Sequence, residues 1–365
     1  MRIDTTPPSF IIKVLAYREL LPESGNPDRT RMRPRARNYL SRFLQIGVTA
    51  LCFWYLLHDL DLAALGSALL AFSPWHLVLS LPLFMLSLLP SCLRLNYLCD
   101  GRSSLSVSAK ALFFGYGVNN LLPAKLGEIA KAAYLSRAKG IPAPVSLCAV
   151  FWERLADLNV VLAFSVAIGL WYGVTQLYLP LLCGMAVLWT VLLLLFRFPG
   201  AFLRMARILP AGRLRDFAAS AIERLGDVQQ RPAWLWLLVY SCAVWCSFIL
   251  FTFWFFAVAC GNNIGIMGAA LVCIAGGVGM ILPSMPASLG AYEAGVVAAL
   301  VILGMDKESA LSAALALHAI NIIPPVLFTG YSVLFEKAAL PGGQHLSPVE
   351  PVPCGDETAP GSAPP

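Results

Sequence analysis

The chain has 365 residues, of which 58% are apolar and only 13% charged, and its net charge is +6 at pH 7. An average soluble domain carries about 25% charged residues, so this composition excludes an ordinary soluble enzyme. It predicts an all-α polytopic integral membrane protein, because a helix satisfies its own backbone hydrogen bonds inside a bilayer.

The first 38 residues are polar and irregular, and they carry a run of arginines: Arg29, Arg31, Arg33, Arg35 and Arg37. We expect no secretory signal here, because a short apolar core followed by small residues is not seen. Arginines just before an apolar stretch are the ordinary positive-inside signal. Residues 1–38 are therefore predicted to be a disordered basic cytoplasmic tail, with a mitochondrial or nucleic-acid-binding tail as the alternative.

Nine apolar stretches follow, at residues 39–58, 75–98, 107–122, 146–171, 176–196, 233–260, 264–282, 290–303 and 309–335. A helix needs about 20 apolar residues to cross a bilayer. The third, seventh and eighth stretches are shorter, rich in glycine and interrupted by Pro123, Pro283 and Pro286. Irregular backbone is tolerated at membrane depth only where protein or a water-filled cavity shields it. The pattern predicts about six full spans and two re-entrant helical hairpins, 107–138 and 264–303.

Two further segments are predicted to lie outside the spans. Residues 198–230 are predicted to form cytoplasmic surface helices, with apolar side chains on one face and five arginines nearby. This segment either binds anionic headgroups or is an ordinary basic loop. Residues 338–365 are rich in Pro, Gly and Ser and are predicted to be disordered. Residues 39–337 then form the membrane domain.

The distribution of positive charge predicts the orientation of the chain. With six spans and two hairpins, 24 of the 26 Lys and Arg residues fall in segments on one side, and Arg94 and Lys131 are among them. The exceptions are Arg154 and Lys307. Because positive residues stay on the cytoplasmic side, both termini are predicted to be cytoplasmic, in a multi-pass protein of the bacterial inner membrane.

The two hairpins resemble each other in sequence. Residues 117–123 read GVNNLLP and residues 277–283 read GVGMILP. At an offset of 164 residues further positions match, in the pairs Gly140 and Gly304, Arg154 and His318, and Asp157 and Asn321. Three spans separate the hairpins, so the second copy is inverted, as in many alternating-access carriers. The predicted halves are roughly 75–171 and 233–335, linked by span 176–196 and segment 198–230; a chance match is the alternative.

Charged residues inside a span are costly, at about 2.5–3.5 kcal/mol each for insertion at its centre. The segment FWERLADLNVVLAF carries Glu153, Arg154 and Asp157, which share one sector of a helix at i, i+3 and i, i+4 spacing. One hypothesis is that they line a polar cavity. The alternative is that Arg154 pairs with both acids and only lowers their insertion cost.

Polar residues also cluster at the hairpin tips: Asn119, Asn120, Lys125, Glu128 and Lys131 in the first, and Ser284, Ser288, Tyr292 and Glu293 in the second. A helix amino terminus beside a lysine attracts anions, and phosphate is the obvious anion of a membrane. With His318 and Asn321, these residues are candidates for one lipid-headgroup cavity, although His318 is alternatively a buried core histidine. No Walker loop, HExxH or GxSxG motif is found, so we expect no metal, cofactor or catalytic residue.

The motifs NNLLPAKLGEIAKAAYL, ERLAD and LPSMPASLGAYE resemble the transmembrane region of lysylphosphatidylglycerol synthase and its free-standing relatives, over about residues 40–337. In the two-domain synthases that region is similar to a flippase for aminoacylated phosphatidylglycerol. No synthase domain is recognised in this sequence, so synthase activity is not expected.

The resemblance implies a flippase for an anionic or aminoacylated phospholipid. Its partners would be membrane lipids and a lipid-synthesis enzyme, and no nucleic acid. The alternative is a membrane enzyme or accessory subunit in polyprenyl-phosphate-sugar or hopanoid-type lipid metabolism.

Overall fold

The computed structural model describes residues 34–122, 126–141, 143–174, 178–208 and 233–335. In these residues every regular element is helical and none is a strand, which confirms the predicted all-α class. The first helix begins at Pro34, inside the predicted tail. The rest of that tail, the tail at 338–365 and most of segment 198–230 lie outside the described residues.

The described residues form α-helices that we number in chain order. They are α1 (Pro34–Leu57), α2 (Leu62–Leu70), α3 (Pro74–Ser87), α4 (Leu89–Leu98), α5 (Leu105–Leu121), α6 (Gly127–Lys139), α7 (Ala143–Trp171), α8 (Tyr178–Arg197), α9 (Pro199–Ile208), α10 (Ala233–Trp254), α11 (Gly265–Ile281), α12 (Ala291–Ile302) and α13 (Lys307–Phe335). A π-helical turn, Phe255–Ala259, continues α10, and a 3₁₀ turn, Pro286–Ser288, precedes α12.

Among these residues four helical segments are long and apolar enough to cross a membrane, namely Pro74–Leu98, Val145–Trp171, Leu235–Ala259 and Lys307–Phe335. A fifth span results if Phe43–Leu57 and Leu62–Leu70 are taken together, although these two are bent by 86°. The apolar part of α8, Leu182–Val191, is shorter. A multi-pass membrane protein is thus confirmed, whereas the count of six spans remains a prediction.

The three short apolar stretches correspond to α5, α11 and α12, and the described residues form two helical hairpins, α5 with α6 and α11 with α12. α5 and α11 each have 17 residues, so each is about 26 Å long, less than the hydrocarbon thickness of about 30 Å. Small residues let each pair approach closely. A Cβ atom at Gly115 would lie 2.9 Å from the carbonyl oxygen of Gly127, and one at Gly279 would lie 2.2 Å from that of Ala291.

Each hairpin packs against a long helix from the other predicted half of the chain, and the second hairpin also packs against the helix that precedes it. α5 packs on α13, whereas α11 packs on α7 and α10. The larger apolar core lies among α3, α10, α12 and α13 and contains the fully buried Phe255 and Phe256. By contrast, α8 exposes large apolar side chains such as Leu179, Val187 and Leu193. Contiguous exposed apolar surface of this kind is expected where a helix faces lipid.

The structure shows the surroundings of two cations that the charge pattern counts on the cytoplasmic side. Arg94 lies in α4 and Lys131 in α6, and their side chains are only 6% and 3% exposed. Both make ion pairs inside the helical bundle. Arg94 sits near the end of an apolar stretch, where hydropathy alone does not separate the interior of a helix from the loop after it.

Candidate functional site

A cavity of about 640 Å³ lies among α3, α4, α5, α6, α7, α10, α11 and α13. Part of its wall is apolar, with Phe84, Leu158, Trp245 and Phe248. The rest is polar and is built from side chains of both predicted halves. A cavity of roughly 300–1,000 Å³ accommodates a small organic ligand, so this one is large enough for a lipid headgroup.

Ten of the predicted site residues line the cavity: Asn119, Asn120, Glu128, Lys131, Glu153, Arg154, Asp157, Ser288, His318 and Asn321. Ser284 is not part of the lining, and its hydroxyl donates to the carbonyl oxygen of Leu282 at 3.4 Å. Glu293 and Tyr292 also do not line the cavity but contact His318. Lys125 lies outside the described residues.

Asp157 and Glu153 are balanced by cations that the local sequence pattern does not pair with them. The Nη1 and Nη2 atoms of Arg94 donate to the two carboxylate oxygens of Asp157 at 2.5 and 3.2 Å, a bidentate contact. The Nζ atom of Lys131 lies 2.7 Å from Glu153 and 3.0 Å from Glu128. Ions are taken out of water at a cost of several kcal/mol each, which only such close pairing offsets.

Arg154 differs from the other two cations in its exposure. Its guanidinium contacts Glu128 and lies 4.0 Å from Asp157, yet its side chain is 58% exposed. In the alternative interpretation, Arg154 is the partner of both Glu153 and Asp157. The structure shows an ion pair of Arg154 with Asp157, but Glu153 is paired with Lys131 and Arg94. Lys131 and Arg94 reach that acid from α6 and α4, which local helical spacing does not reveal.

A second polar group lies where α12 begins. The Nδ1 atom of His318 lies 2.7 Å from Glu293 Oε1. The other oxygen of Glu293 accepts the backbone N–H of Gly290 at 2.8 Å, which caps α12. The ring of Tyr292 stacks on the imidazole with centroids 4.3 Å apart. His318 thus joins the second hairpin to α13.

The first hairpin tip is closed by a side chain. Asn119 Oδ1 accepts the backbone N–H of Gly127 at 2.6 Å, at the amino terminus of α6. The N–H of Gly127 is one of the backbone donors at this helix amino terminus that were predicted to attract an anion, and it is already used by Asn119. Asn120 instead lines the cavity.

Three cavity residues were missed by the sequence pattern: Arg94, Trp245 and Tyr116. Trp245 Nε1 donates to Asp157 at 3.3 Å. Ser241, next to the site, accepts from Arg94 at 2.8 Å. A signal for Arg94 exists, because a lone arginine within the apolar run LPSCLRLNYL is a costly residue that marks function. For Trp245 and Tyr116 the sequence gives no local signal, because an aromatic residue that lines a cavity looks the same in sequence as one in the apolar core.

The fold and the cavity define a multi-pass helical membrane protein with charged residues gathered around an internal cavity. The family model of the lysylphosphatidylglycerol synthase transmembrane region matches residues 42–328. The chain therefore belongs to this family, which indicates a function connected with membrane lipids. Among curated proteins no sequence match was found.

Proposed function

We propose that the protein is a lipid flippase that moves an anionic or aminoacylated phospholipid across the bacterial cytoplasmic membrane. The observation that carries the proposal is the exposure of Arg154: of the three cations that line the cavity in the described residues, its side chain is largely exposed, whereas those of Arg94 and Lys131 are buried. Family membership supports a lipid as the ligand.

The electrostatics favour a phosphate at Arg154. Lys131 and Arg94 are held by Glu153 and Asp157, whereas Arg154 keeps more than half of its side chain exposed. Inside a cavity with a low effective dielectric, a fixed cation attracts a phosphate far more strongly than it does in water. An arginine also grips two phosphate oxygens at once. Lys125 at the hairpin tip is proposed as a second cation.

We further propose six spans with two re-entrant hairpins, arranged as an inverted repeat with both termini in the cytoplasm. Three observations support the repeat. Glu128 pairs with Arg154 just as Glu293 pairs with His318, and the partners are 26 and 25 residues apart. The second observation is that the close contacts of Gly115 with Gly127 and of Gly279 with Ala291 are related by an offset of 164 residues.

The third observation concerns helix packing. The first helix of each hairpin packs on the long helix that follows the other hairpin, α5 on α13 and α11 on α7. A two-fold relation between halves produces such reciprocal contacts. Repeats of this type place the substrate near the midplane, at the interface of the two halves.

The Arg154→Gln substitution tests the function. In proteoliposomes with fluorescent phosphatidylglycerol, we expect the wild type to move the lipid and Arg154→Gln to lose at least about tenfold in rate, as for a lost charged contact of about 1.4 kcal/mol or more. Arg102→Gln is the matched control, because Arg102 is exposed in the turn after α4 and is not part of the cavity lining.

Folding of each variant is checked by thermal unfolding in detergent. Equal rates for wild type and for the double variant Arg154→Gln with Lys125→Ala would refute the headgroup site. Transfer of a headgroup from a donor, without movement of lipid between leaflets, would instead show an enzyme.

A further inference from the structure

His318 has the geometry of a proton carrier. Its side chain is 3% exposed, yet the residue forms part of the cavity wall. Its Nδ1 atom is held 2.7 Å from Glu293. Its Nε2 atom is buried and has no hydrogen-bond partner among the described residues. Ordinary buried histidines use both nitrogens, because an unpaired buried polar atom is costly.

The neutral and the protonated forms of His318, beside Glu293, need different hydrogen-bond partners at Nε2. With Glu293 ionised, the neutral imidazole carries its proton on Nδ1 and donates it to the carboxylate, which leaves a lone pair on Nε2. A proton taken from cavity water then binds to Nε2 and forms an imidazolium. Its new N–H donor needs an acceptor, and the buried position offers none among the described residues. Protonation thus favours a conformation in which Nε2 reaches the cavity.

We propose that His318 and Glu293 form a proton-binding site whose protonation opens the cavity, and that it couples the movement of lipid to the proton gradient. The coupling rests on the proposed flippase function. The position suits this role, because the pair joins the start of α12, next to Gly290, to α13. A proton bound there changes the contact between a hairpin and a helix that carries the cavity wall.

The titratable groups that face His318 are few. Glu293 contacts Nδ1, and the phenol ring of Tyr292 covers one face of the imidazole. Of the other helices packed on α13, α5 carries Lys110 and Tyr116, α3 carries His76, and α2 carries no titratable side chain. Glu293 is thus the charged group that directly contacts the imidazole.

The first test does not depend on transport. The full chain, which has four histidines, is labelled with ¹⁵N-histidine, placed in lipid nanodiscs and followed by NMR. Comparison with His318→Gln assigns the resonance. Over about pH 5 to 8 we expect the resonance to change as the proton binds, and this change to be altered in Glu293→Gln, because the imidazolium has lost its counter-charge. A His318 resonance that does not change over this range would overturn the proposal.

The second test measures coupling in proteoliposomes with and without an imposed pH gradient. We expect the gradient to change the wild-type flipping rate by about fivefold or more, and this dependence to vanish in His318→Gln and to weaken in Glu293→Gln. His58→Gln is the matched control, because His58 pairs with Asp59 at 2.6 Å but is exposed and is not part of the cavity lining. Unchanged gradient dependence in both His318→Gln and Glu293→Gln would overturn the coupling. A wild type that moves no lipid at all rejects the flippase function and the coupling with it, while the NMR titration decides the proton site separately.

Discussion

The cations of the cavity have different structural roles, which their exposure separates. Arg94 is buried and bidentate to Asp157, whereas Arg154 is largely exposed. Removing one partner of a buried ion pair leaves an uncompensated charge, and an exposed pair contributes little. The same substitution should therefore destabilise the protein much more at Arg94 than at Arg154.

We predict that Arg94→Gln lowers the free energy of unfolding by about 3–5 kcal/mol, because Asp157 is left with weaker partners, Arg154 at 4.0 Å and the indole N–H of Trp245 at 3.3 Å. Arg154→Gln should cost about 1 kcal/mol or less. Thermal unfolding of both variants in one detergent measures the difference. Similar losses for the two variants would contradict the assigned roles.

The site residues were predictable where charge stands out against an apolar background. Glu153, Arg154 and Asp157 were found because three charged residues in one span are costly. Their partners were not, because Lys131 and Arg94 reach Glu153 across helix contacts that no local spacing encodes. His318 was singled out by its match to Arg154, and its pairing with Glu293 is a tertiary contact.

At the level of single elements, α13 has a well-defined start. Asp306 precedes it, and its Oδ2 atom accepts the backbone N–H of Ser309 at 2.9 Å. This hydrogen bond lowers the pKa of Asp306 below its ordinary value of 3.8. Asp306 lies in the turn between α12 and α13, outside the helical spans.

We predict that Asp306→Ala destabilises the protein by about 0.5–1 kcal/mol at neutral pH, through loss of the cap. Because the folded-state pKa is the lower one, the contribution of Asp306 is fully present above the unfolded-state pKa and is lost as the pH falls through the folded-state pKa. The melting temperatures of the wild type and the variant should differ by a constant amount from about pH 5 to 8 and converge only below about pH 4. Divergence at acidic pH would contradict this assignment.

The hairpins depend on glycine contacts. We predict that Gly279→Ala is destabilising by about 1–3 kcal/mol, because the added Cβ would lie 2.2 Å from the carbonyl oxygen of Ala291. Gly184→Ala in α8 is the matched control, since nothing lies within 4 Å of its Cβ position. Alanine exceeds glycine in helix propensity by about 1 kcal/mol, so the control should be neutral or stabilising. A neutral Gly279→Ala would show that the close packing is dispensable.

The elements themselves were largely predictable. Length and interruption by proline distinguished the hairpins from the spans, since both are local properties. α2 was missed because its nine residues are too few for a span and lie within a predicted loop. The 86° bend between Phe43–Leu57 and Leu62–Leu70 was likewise not predicted, because the direction of a helix depends on tertiary packing and not on the local hydropathy pattern.

For the whole molecule, orientation is the decisive prediction. With Arg94 and Lys131 assigned to the interior, the remaining positive charges still favour cytoplasmic termini. Cysteines introduced at Leu60 and Asn262 should react with a membrane-impermeant maleimide from the periplasm, and one at Gly212 only after permeabilisation. The unmodified chain, with its ten cysteines, gives the background. Reaction at position 212 in intact cells would reject the orientation.

The reciprocal packing of α5 on α13 has a consequence for biogenesis. The ribosome delivers the chain from its amino terminus, so α5 enters the membrane long before its permanent neighbour is made. The ionic cluster does not share this problem, because Arg94, Glu128, Lys131, Glu153, Arg154 and Asp157 all precede α8. Those charges can neutralise one another early, while the face of α5 that packs on α13 must be sheltered by the insertion machinery or by lipid until α13 arrives.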